Sequence, residues 1–189
     1  MSIAYVVRCN FQDAEHEARW NDWYSGPKLR NMLEKPLFLT GQRFRLISGN
    51  GRDYLAFWTL QSAAALETPE YRSDWGFYEW RPYIGAWNRD LFAAERGEVS
   101  APVVGPDEVL RLVSFEGLDE AAASRARREI DATRPGTTWL RADGIDRATP
   151  FLGVSVERDA TPGRVPDGTV EGFYRPISDL ARTVAPAAS

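Results

Sequence analysis

The chain has 189 residues, with 23 lysines and arginines against 27 aspartates and glutamates and a net charge of −4. That length allows a substantial core, and the basic residues are interspersed with acidic ones instead of forming a stripe, which argues against a nucleic-acid partner. No run reaches the roughly 20 apolar residues of a membrane helix, and a lone Cys9 excludes an intramolecular disulfide. With neither a charged leader nor a long apolar run before the first strand pattern, the expected compartment is the cytoplasm.

In chain order, residues 3–10 alternate as a strand that places Cys9 as a buried structural thiol. Asp13 follows as a candidate helix cap, with Glu15 and Glu17 favourably placed in the first turn. Trp20, Trp23 and Tyr24 then recur at i, i+3, i+4, so the three rings share a helix face. Ser25-Gly26-Pro27 interrupts this helix. Proline is tolerated at a first helical position, so a second short helix is expected from Pro27 to Glu34, with a corner at residues 25–27.

Residues 37–47 alternate as a strand, with Phe38, Phe44 and Leu46 on one face and Leu39, Gly41, Arg43, Arg45 and Ile47 on the other. Asn50-Gly51 signals a hairpin into residues 54–60. Ser62 and then Thr68-Pro69 open short helical turns, and residues 83–92 close the unit as a fourth strand. The order βαββαβ is a ferredoxin-like arrangement. Residues 96–107 have linker composition and separate a first unit, 1–95, from a second, 108–189. The second unit reads as strand 109–115, helix 118–130, and strands 137–142, 151–156 and 170–177, with no room for a second helix between 159 and 168.

Gly85-Ala86-Trp87-Asn88-Arg89 is loosely echoed by Gly172-Phe173-Tyr174-Arg175, and Asp53-Tyr54-Leu55-Ala56-Phe57 by Pro150-Phe151-Leu152-Gly153-Val154. These echoes suggest a diverged tandem duplication. The predicted fold is therefore α+β, with two ferredoxin-like units, the second degenerate, forming one α+β barrel. The halves differ in composition: six of seven tryptophans, and 18 of 23 aromatic residues, precede residue 93.

The string Trp20-Asn21-Asp22-Trp23-Tyr24-Ser25-Gly26-Pro27-Lys28-Leu29, with Phe38-Leu39-Thr40-Gly41-Gln42-Arg43-Phe44, Tyr54-Leu55-Ala56 and Thr68-Pro69-Glu70-Tyr71-Arg72, resembles the dimeric α+β barrel superfamily, in its EthD-like group. The resemblance covers residues 3–92 well and the second half by pattern alone. It implies a ligand cavity between sheet and helices or within the barrel, and an intramolecular pseudo-dimer that can also pair as a homodimer. Members act as cofactor-free monooxygenases, lactone isomerases, polyketide cyclases, haem enzymes or binding proteins, so the fold does not select an activity. The resemblance also implies a pocket histidine four residues after the tyrosine of the Trp-Tyr pair. Here that position is Lys28, which can donate a proton or, if desolvated, accept one.

The remaining chemistry is sparse. His16, in a first helical turn, suits an exposed or capping role better than a haem ligand. No ligand spacing points to a metal, and no cofactor is expected. Arg43 and Arg45 either emerge on the surface or point inward to meet Arg8, where they would stabilise a carboxylate or enolate. Arg89 with Asp90 reads as a structural ion pair. Asp22, Lys28 and Tyr24 are the catalytic candidates. Arg8, Trp20, Trp23, Arg43, Arg45, Trp58, Tyr83 and Trp87 are the candidate substrate-binding residues, with Trp80 adding to the aromatic excess and Tyr78 and Tyr83 able to supply phenolic donors.

Two kinds of function fit. One is a cofactor-independent enzyme moving a proton on a small apolar or aromatic carbonyl compound, by isomerisation, cyclisation or lyase chemistry. The other is a non-catalytic protein that binds such a molecule. A cofactor-free monooxygenase is a third reading.

Overall fold

A computed structural model describes residues 1–183. Nine strands form in chain order: β1 (Ile3–Phe11), β2 (Phe38–Gly49), β3 (Tyr54–Leu60), β4 (Ile84–Ala94), β5 (Val109–Ser114), β6 (Thr138–Ile145), β7 (Phe151–Glu157), β8 (Val170–Pro176) and β9 (Ala181–Arg182). The first eight close on themselves in the order β3-β1-β4-β6-β7-β5-β8-β2, because β2 also pairs with β3. Every pairing is antiparallel. The result is an eight-stranded antiparallel barrel with helical layers outside it. Each half supplies four strands in the same relative order, and the halves join at two seams, β4–β6 and β2–β8.

Alternation along each strand divides the side chains between two faces. Ala4 and Val6 of β1, Phe44 of β2, Phe57 of β3, Phe92 of β4, Leu112 of β5, Leu140 of β6, Leu152 of β7 and Tyr174 of β8 belong to one buried cluster, so every barrel strand fills the interior. This packing leaves the barrel no ligand chamber at its centre. One end is covered by the segment after β4, where Val99 is buried and exchanges hydrogen bonds with Ser2.

The opposite strand face of the first half packs under helices. Helix α1 (Glu17–Trp23) passes through a π-helical turn (Tyr24–Lys28) into α2 (Leu29–Leu33). The corner expected at residues 25–27 is absent. Tyr24, Lys28 and Leu29 keep right-handed helical dihedrals, and the wider π turn accommodates the missing N–H and the ring of Pro27. Asp13 does not cap α1; its carboxylate organises the preceding turn by accepting from the backbone N–H of Glu15 and His16. Thr68 does cap α3 (Pro69–Ser73), accepting from the Tyr71 N–H. A 3-10 turn (Tyr78–Tyr83) then leads into β4.

In the second half, α4 (Glu120–Thr133) is capped by Asp119 and covers Val113, Trp139 and Phe151. Between β7 and β8 no helix forms among the described residues. That stretch lies beside a buried ion pair on the outer strand face, where Arg111 Nε meets Glu171 at 2.7 Å. The backbone N–H of Gly163, from the same stretch, donates to the Glu171 carboxylate.

Candidate active site

The tryptophan-rich face of the first half contains a small cavity of about 30 Å³ between β1, β3 and β4 on one side and the helical layer on the other. Tyr5, Trp58, Trp87 and Arg89 line it from the strands, Tyr24, Lys28 and Met32 from the helix, and Tyr71, Trp75 and Phe77 from α3 and the loop after it. Its titratable walls are lysine, arginine and tyrosine, with no carboxylate among the lining residues.

The π turn places Lys28 on the cavity wall. Lys28 is 5% exposed. Its Nζ lies 4.5 Å from the centre of the Tyr78 ring and donates to the Tyr78 hydroxyl at 3.2 Å. Desolvation lowers the Lys28 pKa from 10.5 to about 8, against a weaker opposing effect of the Asp74 charge. Tyr78 in turn donates to Asp74. Asp74 also accepts from Lys35 at 3.0 Å and Asn31 at 2.9 Å. The Tyr78, Lys35 and Asn31 donors together hold the Asp74 carboxyl well below its ordinary range. The loop closing the cavity is thus tied to α2 through a single carboxylate.

On the strand side, the Arg89 guanidinium lies 4.1 Å from the centre of the Trp75 ring and contacts the Tyr71 hydroxyl at 3.4 Å. The Tyr71 hydroxyl is 2.9 Å from that of Tyr5. Burial raises the Tyr5 and Tyr24 phenols well above their ordinary values, keeping both protonated. Two buried nitrogens of the wall, Trp58 Nε1 and Arg89 Nε, have no hydrogen-bond partner.

The predicted residues separate into groups. Lys28, Tyr24, Trp58 and Trp87 converge on the cavity, and Trp23 packs at its border against Tyr24 and Tyr78. Asp22 is exposed on the solvent face of α1, pointing away from its neighbour Tyr24, so it is no proton acceptor for this cavity. Trp20 stacks on Phe11, and Tyr83 is sandwiched near Phe11 and His16. Both belong to packing at the side of the helical layer.

Arg43 and Arg45 do not point inward to meet Arg8, and of the two alternatives the surface one holds for Arg45. Arg8 points into the barrel end, binding Asp90 at 3.1 Å and Glu116 at 2.9 Å. Arg43 projects from the other face of the sheet, beneath Trp20 and Tyr24, where Asn21 and Ser25 accept its hydrogen bonds. Arg45, one step further along that face, is exposed and pairs with Glu17. Strand alternation separates Arg8 from the other two.

The same alternation overturns the Arg89–Asp90 pair, because adjacent strand residues face opposite ways. Asp90 serves Arg8 inside the barrel while Arg89 lines the cavity. Phe38 also changes side. A bulge between Phe38 and Thr40 shifts its register, so it packs on the helical face with Trp58 instead of beside Phe44. Tyr5, Tyr71, Trp75, Phe77 and Arg89 were missed as site residues. Trp75 and Phe77 carried a signal in the aromatic excess, but their loop had no periodicity to orient them.

A larger recess of about 650 Å³ opens at the barrel end beneath the segment after β4, lined by Phe57, Val99, Leu140 and Val154. Its rim acid Glu95 is engaged by Arg127, and no buried unpartnered polar atom lies among its walls. Size favours this recess, but the grouped ionisable chemistry lies in the smaller cavity. A haem does not fit the latter: it holds no imidazole or thiolate, and the single histidine, His16, is bonded to Asp13 and stacked on Tyr83. Among the described residues no group of three or more His, Cys, Asp or Glu is arranged to hold a metal ion, and no helix is long and apolar enough to cross a membrane.

Solved structures of several proteins share this eight-stranded antiparallel barrel with helices packed outside it. An anthrone oxidase-like protein aligns over 99% of this chain and 97% of its own, with TM-score 0.61 and 11% identity. A candidate monooxygenase from Lactobacillus acidophilus aligns over 97% of both chains, with TM-score 0.54 and 11% identity. Chlorite dismutase from Candidatus Nitrospira defluvii covers 93% and 91%, with TM-score 0.52 and 9% identity. At such identities the likeness shows the fold alone. No protein-family model and no curated protein sequence matches the chain.

Proposed function

We propose that the chain is a cofactor-independent enzyme that moves a proton on a small aromatic carbonyl compound in the cavity beside Lys28. Supporting this is the placement of one buried amine, with a pKa brought down to about 8, against an aromatic wall that contains no acid. An amine so tuned is a competent general base near neutral pH. It would take a proton from the carbon next to the carbonyl, becoming an ammonium, while the enolate oxygen accepts from the unpartnered Trp58 Nε1–H. Returning the proton at a different carbon completes an isomerisation. Tyr78, fixed by Asp74, positions the amine. Asp22 has no part in this scheme, and Tyr24 serves as wall and phenolic donor.

The duplicated ferredoxin-like organisation belongs to the same reading, with units at 1–95 and 108–189 joined by 96–107. It is supported by the identical strand order of the two halves. The EthD-like affinity rests on the strings at residues 20–29, 38–44, 54–56 and 68–72, and Lys28 departs from it where the resemblance implies a histidine.

The test is solvent-deuterium incorporation, followed by NMR, across a panel of aryl ketones. Wild type should accelerate exchange at the acidic carbon and Lys28→Ala should lose most of it, on the order of 10²-fold or more for a general base. Equal exchange by the two proteins would overturn the assignment. A second reading, oxygen insertion without a cofactor, is favoured by the neighbouring oxidase-like and monooxygenase structures, and oxygen consumption with a phenolic substrate separates it. Ligand-quenched tryptophan fluorescence without turnover would indicate a binding protein.

A further inference from the structure

Every feature of the cavity wall that lacks a partner is a donor. Trp58 Nε1 and Arg89 Nε are buried and unsatisfied, a costly arrangement unless an acceptor arrives. Arg89 forms no ion pair among the described residues. Asp146, the nearest acid in sequence contact, accepts from the Arg89 backbone N–H at 2.9 Å. The guanidinium is held flat by Trp75 on one face and by the Tyr71 hydroxyl at Nη1, which leaves the Nε edge free. A planar fork with an open edge matches a carboxylate in two parallel hydrogen bonds, a match that a single ketone oxygen cannot make.

We infer that the compound taken by this cavity is an aromatic carboxylate, its carboxylate seated on the free edge of Arg89 and its ring beside Trp58 and Trp87, in the place Trp75 now fills. The inference rests on the proposed role of the cavity and adds an anionic anchor, distinct from the carbonyl that Lys28 works on.

The anchor has a steric requirement. A space of about 30 Å³ holds about one water molecule. An aryl ring therefore enters only when the segment from Trp75 to Phe77 swings outward, with Tyr78 kept on Asp74 and Lys28. That segment suits the movement: Trp75 is 39% exposed, and Gly76 has a positive φ of 101°. A bound ring would replace Trp75 as the cover of the guanidinium.

Calorimetric titration of the full chain with 2-naphthoate and with 2-naphthamide tests this. The two probes share a ring system and differ in charge. Wild type should bind the naphthoate at least about tenfold more tightly, as expected for a charge-assisted pair over a neutral one. Arg89→Gln should bring the ratio to near one by weakening naphthoate more than naphthamide, with the circular dichroism of the variant matching wild type. Arg89→Lys keeps the charge without the fork and should give an intermediate ratio, providing the comparison if the glutamine variant does not fold. Equal binding of both probes by wild type, or a ratio preserved in the substituted proteins, overturns the carboxylate anchor and leaves the aromatic cavity standing. Failure of both probes to bind overturns the anchor and the cavity reading together.

Discussion

Lys28 meets two opposing demands. Burial among rings disfavours its charged form, and the neighbouring Asp74 only partly offsets this, leaving the amine near a pKa of 8. Exchange catalysed by a neutral amine should therefore rise with pH and level off above about 8, and Lys28→Met should abolish that profile. The same titration affects folding. An unfolded lysine titrates near 10.5, so between about 8 and 10.5 the unfolded chain binds more protons than the folded one. Stability should rise with pH across that window, and denaturant titrations of Lys28→Met should show a flatter dependence.

Arg111 presents the contrasting case of a charge buried for packing. It is fully buried against Glu171. Arg111→Ala should cost about 3–5 kcal/mol by stranding that carboxylate, whereas Arg111→Met combined with Glu171→Leu should recover most of the loss in chemical denaturation.

At the scale of elements, one of the seven cross-strand pairs joining β2 to β3 sets Gly41 opposite Trp58. A methyl group at Gly41 would overlap the Trp58 ring. Gly41→Ala should therefore cost about 1–3 kcal/mol in thermal denaturation and displace a wall of the cavity, with a shift in tryptophan emission.

The strands themselves were legible in the sequence, because period-two alternation and the Asn50-Gly51 turn are local signals. The hairpin formed as expected, and β3 and β5 to β8 fell within two or three residues of their predicted bounds. Alternation misplaced side chains where it was interrupted: the bulge after Phe38 changed its face. The π turn was missed because Ser25-Gly26-Pro27 has the composition of a break, and only the surrounding packing carries a helix through it. The candidate site was half legible. Trp58 and Trp87 stand in strands and Tyr24 ends the i, i+3, i+4 run of α1, Lys28 was found through the resemblance, and Trp75 and Phe77 stand in a loop. Arg89 was misassigned by pairing it with its sequence neighbour Asp90, whose partner across the barrel interior is Arg8.

For the molecule as a whole, the barrel interior draws side chains from all eight main strands, and two seams join the halves. Neither half can keep its inner face from water without the other. The chain should unfold in one step: tryptophan emission, dominated by the first half, and far-ultraviolet circular dichroism, which samples both, should give coincident thermal transitions. Separated midpoints would show that the halves are independent.

The filled interior also acts as a partition. Because Leu112, Phe57 and their neighbours occupy the whole cross-section, the two outer faces share a foundation but have no common space. On the first face Arg89 was left without a counter-charge, and on the second Arg111 is matched by Glu171. A symmetric pair of identical subunits could not make that distinction, since any residue chosen for one face would appear on both. With both halves in one chain the two faces can differ, and the proposed site, present on one face alone, should bind one carboxylate per chain.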